Sequence, residues 1–360
     1  MSTTSAATTP LWVFGATGIL AGELLRLVER HPALRLAGAV SRTPRPLAQA
    51  HPHWPGNETT CSAAEAAGAI AESIERGARP AVVLALPHGE SALAWLELRA
   101  RLGPAAERLV LADLSADFRL RDPDLYAETY GRPHPAPEEL AGFAYGLPEL
   151  FEDDVRRARR IAAPGCFATA LQLAVVPAAR AGLLDTSRPW ILHAITGSSG
   201  SGAEPKPGTH HPHRHGNLWA YGLDGHRHEA ELRQALAPLG IAPPLHFVPH
   251  SGPFARGIHL TAALPLRAGA SLAQAREAYA AAYTGRPFVE LLDSGVPDLR
   301  SVAGSNRAQI ALHARGGVLS VLATLDNLVK GGAGQALQCL NLVLGLPEAD
   351  GLPRAGLGAC

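Results

Sequence analysis

Charge of one sign, cysteine, methionine and long apolar runs are all missing or scarce in this chain of 360 residues, and each scarcity excludes something. Lys and Arg number 32 and Asp and Glu also 32, so the formal net charge is zero. No global field would pull the protein onto nucleic acid or an anionic membrane, and a charge-guided partner must use a local patch. No apolar run approaches the ~18 residues needed to span a bilayer. The opening MSTTSAATTP has neither a basic nor an apolar region of the kind that exports a chain, so a cytoplasmic protein with a short disordered lead is expected. The four cysteines, Cys61, Cys166, Cys339 and Cys360, form no CxxC pair, which argues against a disulfide framework and against a zinc ribbon. What remains is 47% hydrophobic and 18% charged, a composition that buries large cores, at a length that suggests two domains.

Leu11–Phe14 reads as a short apolar strand running into Gly15-Ala16-Thr17-Gly18-Ile19-Leu20-Ala21-Gly22, followed by helical spacing over Glu23–Arg30. Further apolar runs at Leu34–Val40, Ala81–Leu86 and Leu109–Ala112 alternate with helical stretches such as Ser91–Leu102. Strands alternating with helices predict a parallel sheet covered on both faces. From about Pro164 the pattern changes. A helix follows Cys166, a strand lies near Trp190–Ile195, and a long polar stretch, Gly197–Gly216, looks like a functional or mobile loop. Strands near Leu245–Val248, Gly257–Leu264 and Val318–Leu325 around a helix at Leu272–Tyr283 predict an α+β second domain. The last helix, Gly334–Leu344, is expected to pack back on the first domain. The resulting boundaries are 9–165 plus 330–360 for a dinucleotide-binding domain and 166–329 for a catalytic and oligomerisation domain. No repeat of fixed period is present.

The glycine turn lets the backbone approach a pyrophosphate and points the first N–H groups of the helix at it. Its spacing, G-x-x-G-x-x-x-G, differs from the G-x-G-x-x-G of simple dinucleotide folds and also suits a merely structural tight turn. After the second strand an NAD site would carry Asp or Glu for the ribose 2′-OH, whereas this chain has Ser41-Arg42, which suit a 2′-phosphate and point to NADP. Arg42 could equally be a solvated surface residue.

Cys166 follows Pro164-Gly165 and opens a helix, where orphan N–H groups and the helix dipole stabilise a thiolate. That arrangement makes a nucleophile, against the alternative of a small buried hydrophobe. The other three cysteines lack such a helix start. A thiol nucleophile in acyl transfer needs an acid/base, normally His. His226 and His228 are the candidates, with Glu231 three residues after His228 and able to orient it along a helix. Alternate residues cannot share a helix face, so at most one of the two need point at the thiol. Arg256 precedes a strand and could hold a carboxylate or phosphate bidentately. The stretch Lys206-Pro207-Gly208-Thr209-His210-His211-Pro212-His213-Arg214-His215 offers imidazoles to a metal but no acidic or thiol co-ligands, and Pro212 breaks the helical alignment, so no metal is expected. A flexible, partly cationic docking loop is the better reading.

Taken together, these stretches resemble the N-acetyl-γ-glutamyl-phosphate reductases of arginine biosynthesis and their lysine-pathway relatives, along nearly the whole chain. The matching segments are Gly15–Gly22, Ser41-Arg42, Asp113–Arg119, Tyr145–Leu150, Pro164-Gly165-Cys166, Gly225–His228, Arg256-Gly257 and Asp326–Gly331. The resemblance implies an NADP-binding Rossmann domain plus an α+β domain of mixed sheet, and a homo-oligomer, dimer or tetramer. It implies Cys166 as nucleophile and an acid/base in the His226/His228 pair, His228 first. Gly15, Thr17, Gly18, Ile19, Leu20, Ser41, Arg42, Pro87 and Asn327 become cofactor contacts; Ser199, Gly200, Glu231 and Arg256 become substrate contacts. Ala203 and Ala230 depart from the arginine-pathway pattern of Arg and Pro. Gly202-Ala203-Glu204, His210-His211-Pro212 and Ser305-Asn306 look more like the LysY-type enzyme, which reduces 2-aminoadipate 6-phosphate attached to a small acidic amino-group carrier protein of the LysW type. A basic loop at 206–215 would then dock that partner. The expected reaction is NADPH-dependent reduction of the acyl phosphate through a Cys166 thioester. Alternatives are free N-acetylglutamyl 5-phosphate, carrier-bound glutamyl phosphate, a nonenzymatic NADP- or carrier-binding protein, and a metal-dependent hydrolase.

Overall fold

The computed structural model describes residues 8–358. The first seven residues of the expected lead, and Cys360, lie outside them; Thr9 and Pro10 do not trail as a lead but open the first strand. The chain forms two compact units, one running through Ala163 and taking in Ala333–Leu352, the other comprising Pro164–Gly332 with the tail from Pro353.

In the first unit, β1 (Thr9–Phe14), β2 (Leu34–Val40), β3 (Ala81–Leu84), β4 (Val110–Asp113), β5 (Ala144–Tyr145) and β6 (Arg160–Ala162) form one sheet in the order β2-β1-β3-β4-β6-β5. Every pairing is parallel. β3 and β4 are buried along their whole length, which is why they read as unbroken apolar runs rather than as an alternation. Trp12, Phe14, Val82, Leu84 and Leu111 pack with Ile70 and Ile74 of the helix Ala63–Glu75 and with Trp95 and Leu98 of the helix Ser91–Leu102. The helix Gly334–Leu344 returns to this unit, where Gln335 Nε2 donates to the Gly146 carbonyl at 2.8 Å and Asn341 Oδ1 meets His31 Nε2 at 2.9 Å.

The second unit is built on a mixed sheet. Its strands are β7 (Trp190–Thr196), β8 (Trp219–Ala220), β9 (Leu245–Ser251), β10 (Ile258–Pro265), β11 (Val289–Leu291), β12 (Ala308–Arg315) and β13 (Val318–Leu325), in the order β11-β12-β13-β10-β7-β9-β8. β7 and β9 run parallel, whereas β10 pairs antiparallel with both β7 and β13. The helix Cys166–Arg180 lies against β10 and β13. It keeps Pro177 in its interior, which leaves the Leu173 carbonyl without the N–H that a helix would supply. The Tyr283 hydroxyl donates to that carbonyl at 2.6 Å, and Tyr279 donates to the next one, Ala174. The tail, expected in the first domain, adds here instead: Pro353 accepts from the Asn306 N–H and the Leu357 N–H donates to Ala303.

Candidate functional site

The three glycines after β1 do three different jobs. Gly15 sits at φ +73°, and a Cβ there would run into the Ala85 carbonyl, so the turn itself requires glycine. Gly18 precedes the helix Ile19–Val28 in extended conformation, with no side-chain cap on the first turn, and a Cβ on it would meet nothing nearer than 3.5 Å. The fold does not need glycine at that point. The uncapped N–H groups at this helix start could hold a pyrophosphate. Gly22, read from sequence as part of the same phosphate-binding turn, instead faces the His51 ring, where a Cβ would lie 2.5 Å from Nδ1. Thr17, Ile19 and Leu20 fall within this turn and the start of its helix.

Ser41 and Arg42 follow β2, beside the turn in sheet order. The Ser41 hydroxyl lies 2.7 Å from both the Thr43 carbonyl and the Thr60 hydroxyl. Arg42 is 85% exposed, with Glu90 3.8 Å away, and is thus available to a phosphate at the surface. Pro87 is exposed in the turn after β3, and its carbonyl accepts from the Glu90 N–H. That turn is held by Asp117, which accepts from the Gly89 N–H at 2.6 Å and the Ala92 N–H at 3.0 Å. The nearby Asp113 is fully buried. Burial and then the charge of Asp117 push its carboxyl up to about 6, against the opposing hydrogen bonds of Ser115.

In the second unit, Cys166 is the first residue of its helix and is half-buried. Its backbone is clamped from two directions. A Cβ on the preceding Gly165 would collide with the His228 ring and lie 2.8 Å from Glu231 Oε1, while a Cβ on Gly331 would lie 2.8 Å from Cys166 Cβ. Both His228 and Glu231 come from the helix His228–Leu236. Glu231, expected on the substrate, is fully buried, and its Oε2 accepts from the Gly165 N–H at 3.1 Å. Through that bond it braces the turn before the cysteine.

His226 and His228 lie with ring centroids 4.7 Å apart, and Phe167 presents its ring to both. The His228 backbone N–H donates to His226 Nδ1 at 3.3 Å. Burial, and then the charge of Arg227, push His226 down to about 4. Tyr221 escaped the sequence reading. Its ring is 5.9 Å from that of His226, and its hydroxyl is pushed up by burial and then by the charge of Cys166, which places it in the thiol's surroundings. No local pattern signals it, because β8 and the segment after it carry little periodicity.

Arg256, Asn327, Ser199 and Gly200 form a second cluster at one end of the mixed sheet. The register aligns Ile258 with both Thr196 and Leu325, so the segments flanking β7, β10 and β13 converge there. Arg256 donates to the fully buried Asp326 through Nε at 2.7 Å and Nη2 at 3.1 Å. Asn327 Oδ1 accepts from the Gly257 N–H at 2.6 Å, and its Nδ2 donates to Ser199 Oγ at 2.9 Å. Gly200 lies beside the Asn327 side chain, where a Cβ would sit 3.9 Å from Nδ2. Asn327, expected on the cofactor, thus ties the Ser199 turn to Gly257.

The stretch expected to be a loop without structure contains short helical turns at Ser198–Ser201, Pro207–Thr209 and His211–Arg214. Arg214, counted among its docking charges, is buried. It donates from Nη1 to the Ser251 hydroxyl at 2.7 Å and from Nη2 to the Gly252 carbonyl, and stacks against Trp219. Lys206, His210, His211, His213 and His215 remain exposed. Among the described residues no three His, Cys, Asp or Glu side chains converge as metal ligands, and no helix is long and apolar enough to cross a membrane.

A parallel-sheet dinucleotide unit joined in one chain to a mixed-sheet unit with a cysteine at a helix start defines a class of two-domain NAD(P)-linked oxidoreductases. Residues 11–158 match the NAD binding domain of semialdehyde dehydrogenase, and residues 166–327 match its dimerisation domain. The N-acetyl-gamma-glutamyl-phosphate reductase of Nitrosococcus oceani is 39% identical over 346 residues, covering 94% of this chain and 96% of the relative. The protein of the same name from Rhodospirillum rubrum is 38% identical over 96% of this chain and 97% of its own length. Aspartate semialdehyde dehydrogenase II of Vibrio cholerae, solved as a complex with ASA, superposes with a TM-score of 0.67 at 14% identity, covering 94% of this chain and 99% of that one. Aspartate semialdehyde dehydrogenase of Candida albicans, solved with NADP, gives 0.64 at 13% identity, covering 94% and 99%. The chain belongs to the semialdehyde dehydrogenase family.

Proposed function

We propose that the protein reduces N-acetyl-γ-glutamyl 5-phosphate to the semialdehyde with NADPH, using Cys166 as nucleophile and His228 as proton carrier. The observation that carries this reading is the helix-start thiol of Cys166, clamped between Gly331 and the Gly165 turn on which His228 and Glu231 pack. The names of the relatives support this substrate over the carrier-bound aminoadipyl phosphate that the sequence pattern favours.

In the proposed reaction the helix start favours the Cys166 thiolate, and Sγ attacks the acyl-phosphate carbonyl. The C–O bond to phosphate breaks, phosphate leaves, and the acyl group remains on Cys166 as a thioester. NADPH, when bound, supplies the hydride that a thioester accepts and a carboxylate does not. His228 takes the thiol proton and returns one as the aldehyde forms. His226, held near 4, stays neutral at pH 7, and its Nδ1 fixes the backbone of His228. Arg256, aimed by Asp326, offers its cation to the anionic substrate. The dimerisation-domain match at 166–327 supports self-association, which we propose takes the form of a dimer or tetramer.

The exposed strip of Lys206, His210, His211, His213 and His215 favours a second reading, in which an acidic carrier of the LysW type presents the acyl phosphate. One assay separates the two. NADPH oxidation is followed with free N-acetyl-γ-glutamyl phosphate and with the carrier-bound aminoadipyl phosphate, Cys166→Ser serving as blank. Turnover of the free substrate alone supports the first reading, turnover of the carrier-bound one alone replaces it with the second, and turnover of neither removes both.

A further inference from the structure

Between β2 and the helix Ala63–Glu75 the chain makes an excursion that contains one short helical turn, Leu47–Ala50, and is closely built. Pro46 bridges Thr59, the Leu47 N–H donates to the Glu58 carbonyl at 2.8 Å, and Trp54 Nε1 donates to Glu58 Oε2 at 2.6 Å. Leu47 is fully buried and Trp54 nearly so. Its return is fixed by the Cys61 N–H, which donates to Ala39, and by the Ser41 N–H, which donates to Cys61.

Two buried polar side chains of this excursion reach the dinucleotide site. His51 Nε2 lies 2.7 Å from the Ala16 carbonyl, inside the glycine turn. A carbonyl can only accept, so Nε2 carries the ring proton, and Nδ1 is the edge packed on Gly22. The same turn is held on its other side by the Ala16 N–H, which donates to the Val40 carbonyl at 3.0 Å. His53 Nε2 adds a contact to the Gly22 carbonyl at 3.0 Å. At the far end Thr60, 2% exposed, places Oγ1 2.7 Å from Ser41 Oγ and accepts from the Arg45 N–H at 2.9 Å.

We infer that this excursion is the support of the cofactor site, with His51 the positioning residue for the pyrophosphate turn and Thr60 the positioning residue for the segment that meets the 2′-phosphate. The inference rests on the NADP reading. It explains why Gly22 cannot carry a side chain, and it divides cofactor affinity into two parts that substitutions can separate. Loss of the His51 donor leaves the Ala16 carbonyl without it and loosens the turn common to NADPH and NADH. Loss of the Thr60 hydroxyl takes from Ser41 one of its two hydroxyl partners, the other being the Thr43 carbonyl, and acts on NADPH alone.

The test uses the full chain, with NADP+ affinity from calorimetry and KM for NADPH and NADH from the reductase assay. His51→Phe keeps a ring against Gly22 without the donor, and is expected to raise both KM values in parallel by about tenfold or more, the cost of one unmade buried hydrogen bond. His51→Gln, which carries an N–H donor, is expected to recover most of that loss. Thr60→Val is expected to lower the NADPH to NADH preference several-fold with KM for NADH little changed. Should His51→Phe fail to fold, ¹⁵N-histidine spectra of the unaltered protein carry the question, since the His51 Nε2–H resonance must shift as NADP+ is titrated to saturation. Unaltered KM values in His51→Phe, no advantage of Gln over Phe, a static His51 resonance, or equal effects of Thr60→Val on both cofactors would each overturn the inference. Failure of the unaltered protein to bind NADP+ would remove the cofactor reading along with it.

Discussion

The glycine turn of the first unit and the thiol pocket of the second are built in opposite ways. The turn is one contiguous segment, and its chemistry comes from backbone N–H groups that follow once Gly15 sets the path. The pocket draws its walls from the start of the Cys166 helix, the start of the His228 helix, Tyr221 near β8 and Gly331 after β13. A contiguous device fails first at its glycines and is weakened, rather than dismantled, when a support beside it such as His51 is removed. A device assembled from distant segments depends on each contact that keeps those segments in register.

That contrast is sharpest at the thiol itself. Cys166→Ser is expected to lower kcat for NADPH oxidation by about a thousandfold or more, because the hydroxyl is a far weaker nucleophile at neutral pH. Activity within a few-fold of the unaltered enzyme would end the thioester mechanism. One step smaller is Gly165→Ala, whose methyl would drive into His228 and Glu231. An effect of about a hundredfold on kcat is expected from displaced reacting groups, and a loss seen only in NADP+ affinity would show that the Gly165 turn does not order the pocket. Smaller again is Arg42→Ala. Arg42 is exposed, so its removal should cost the NADPH preference over NADH about tenfold, or ~1.4 kcal/mol. Parallel loss of both cofactors would move Arg42 off the 2′-phosphate.

Much of this was legible in the sequence where one element carries its own signal. The strand Leu34–Val40, the helices Ser91–Leu102, Leu272–Tyr283 and Gly334–Leu344, and the strand Val318–Leu325 lie where periodicity puts them. β12, Ala308–Arg315, has no such signal, because its first five residues are buried on both faces while one of them is Gln309. Cys166 was legible because Pro-Gly before a helical run is a local event. The job of Glu231 was not, since its partner, the Gly165 N–H, is 66 residues away in sequence. Arg214 looked like a surface charge for the same reason: the oxygens that bury it belong to Ser251 and Gly252, on and just after β9.

The smallest effect concerns acid. His226 is held near 4 in the fold against an ordinary 6.5, so between those values the unfolded chain takes up a proton that the folded chain refuses. Stability from this group is complete above about pH 6.5 and is lost as the pH falls toward 4. Asp113 in the first unit has the opposite sign. Its carboxyl is raised to about 6 from 3.8, so the cost of keeping it charged in the core is relieved as the pH falls through 6. His226→Phe keeps a ring beside Phe167 and Phe247 but removes the titration and the acceptor of the His228 N–H. Urea unfolding across pH 4 to 7 should therefore show His226→Phe less stable at pH 7. Its acid slope should be shallower than that of the unaltered protein by at most about one proton. Asp113→Asn should change the slope the other way, steepening the loss in acid. Equal slopes for all three proteins would mean that neither burial holds in solution, and a steeper slope for His226→Phe would reverse the sign assigned to the pocket.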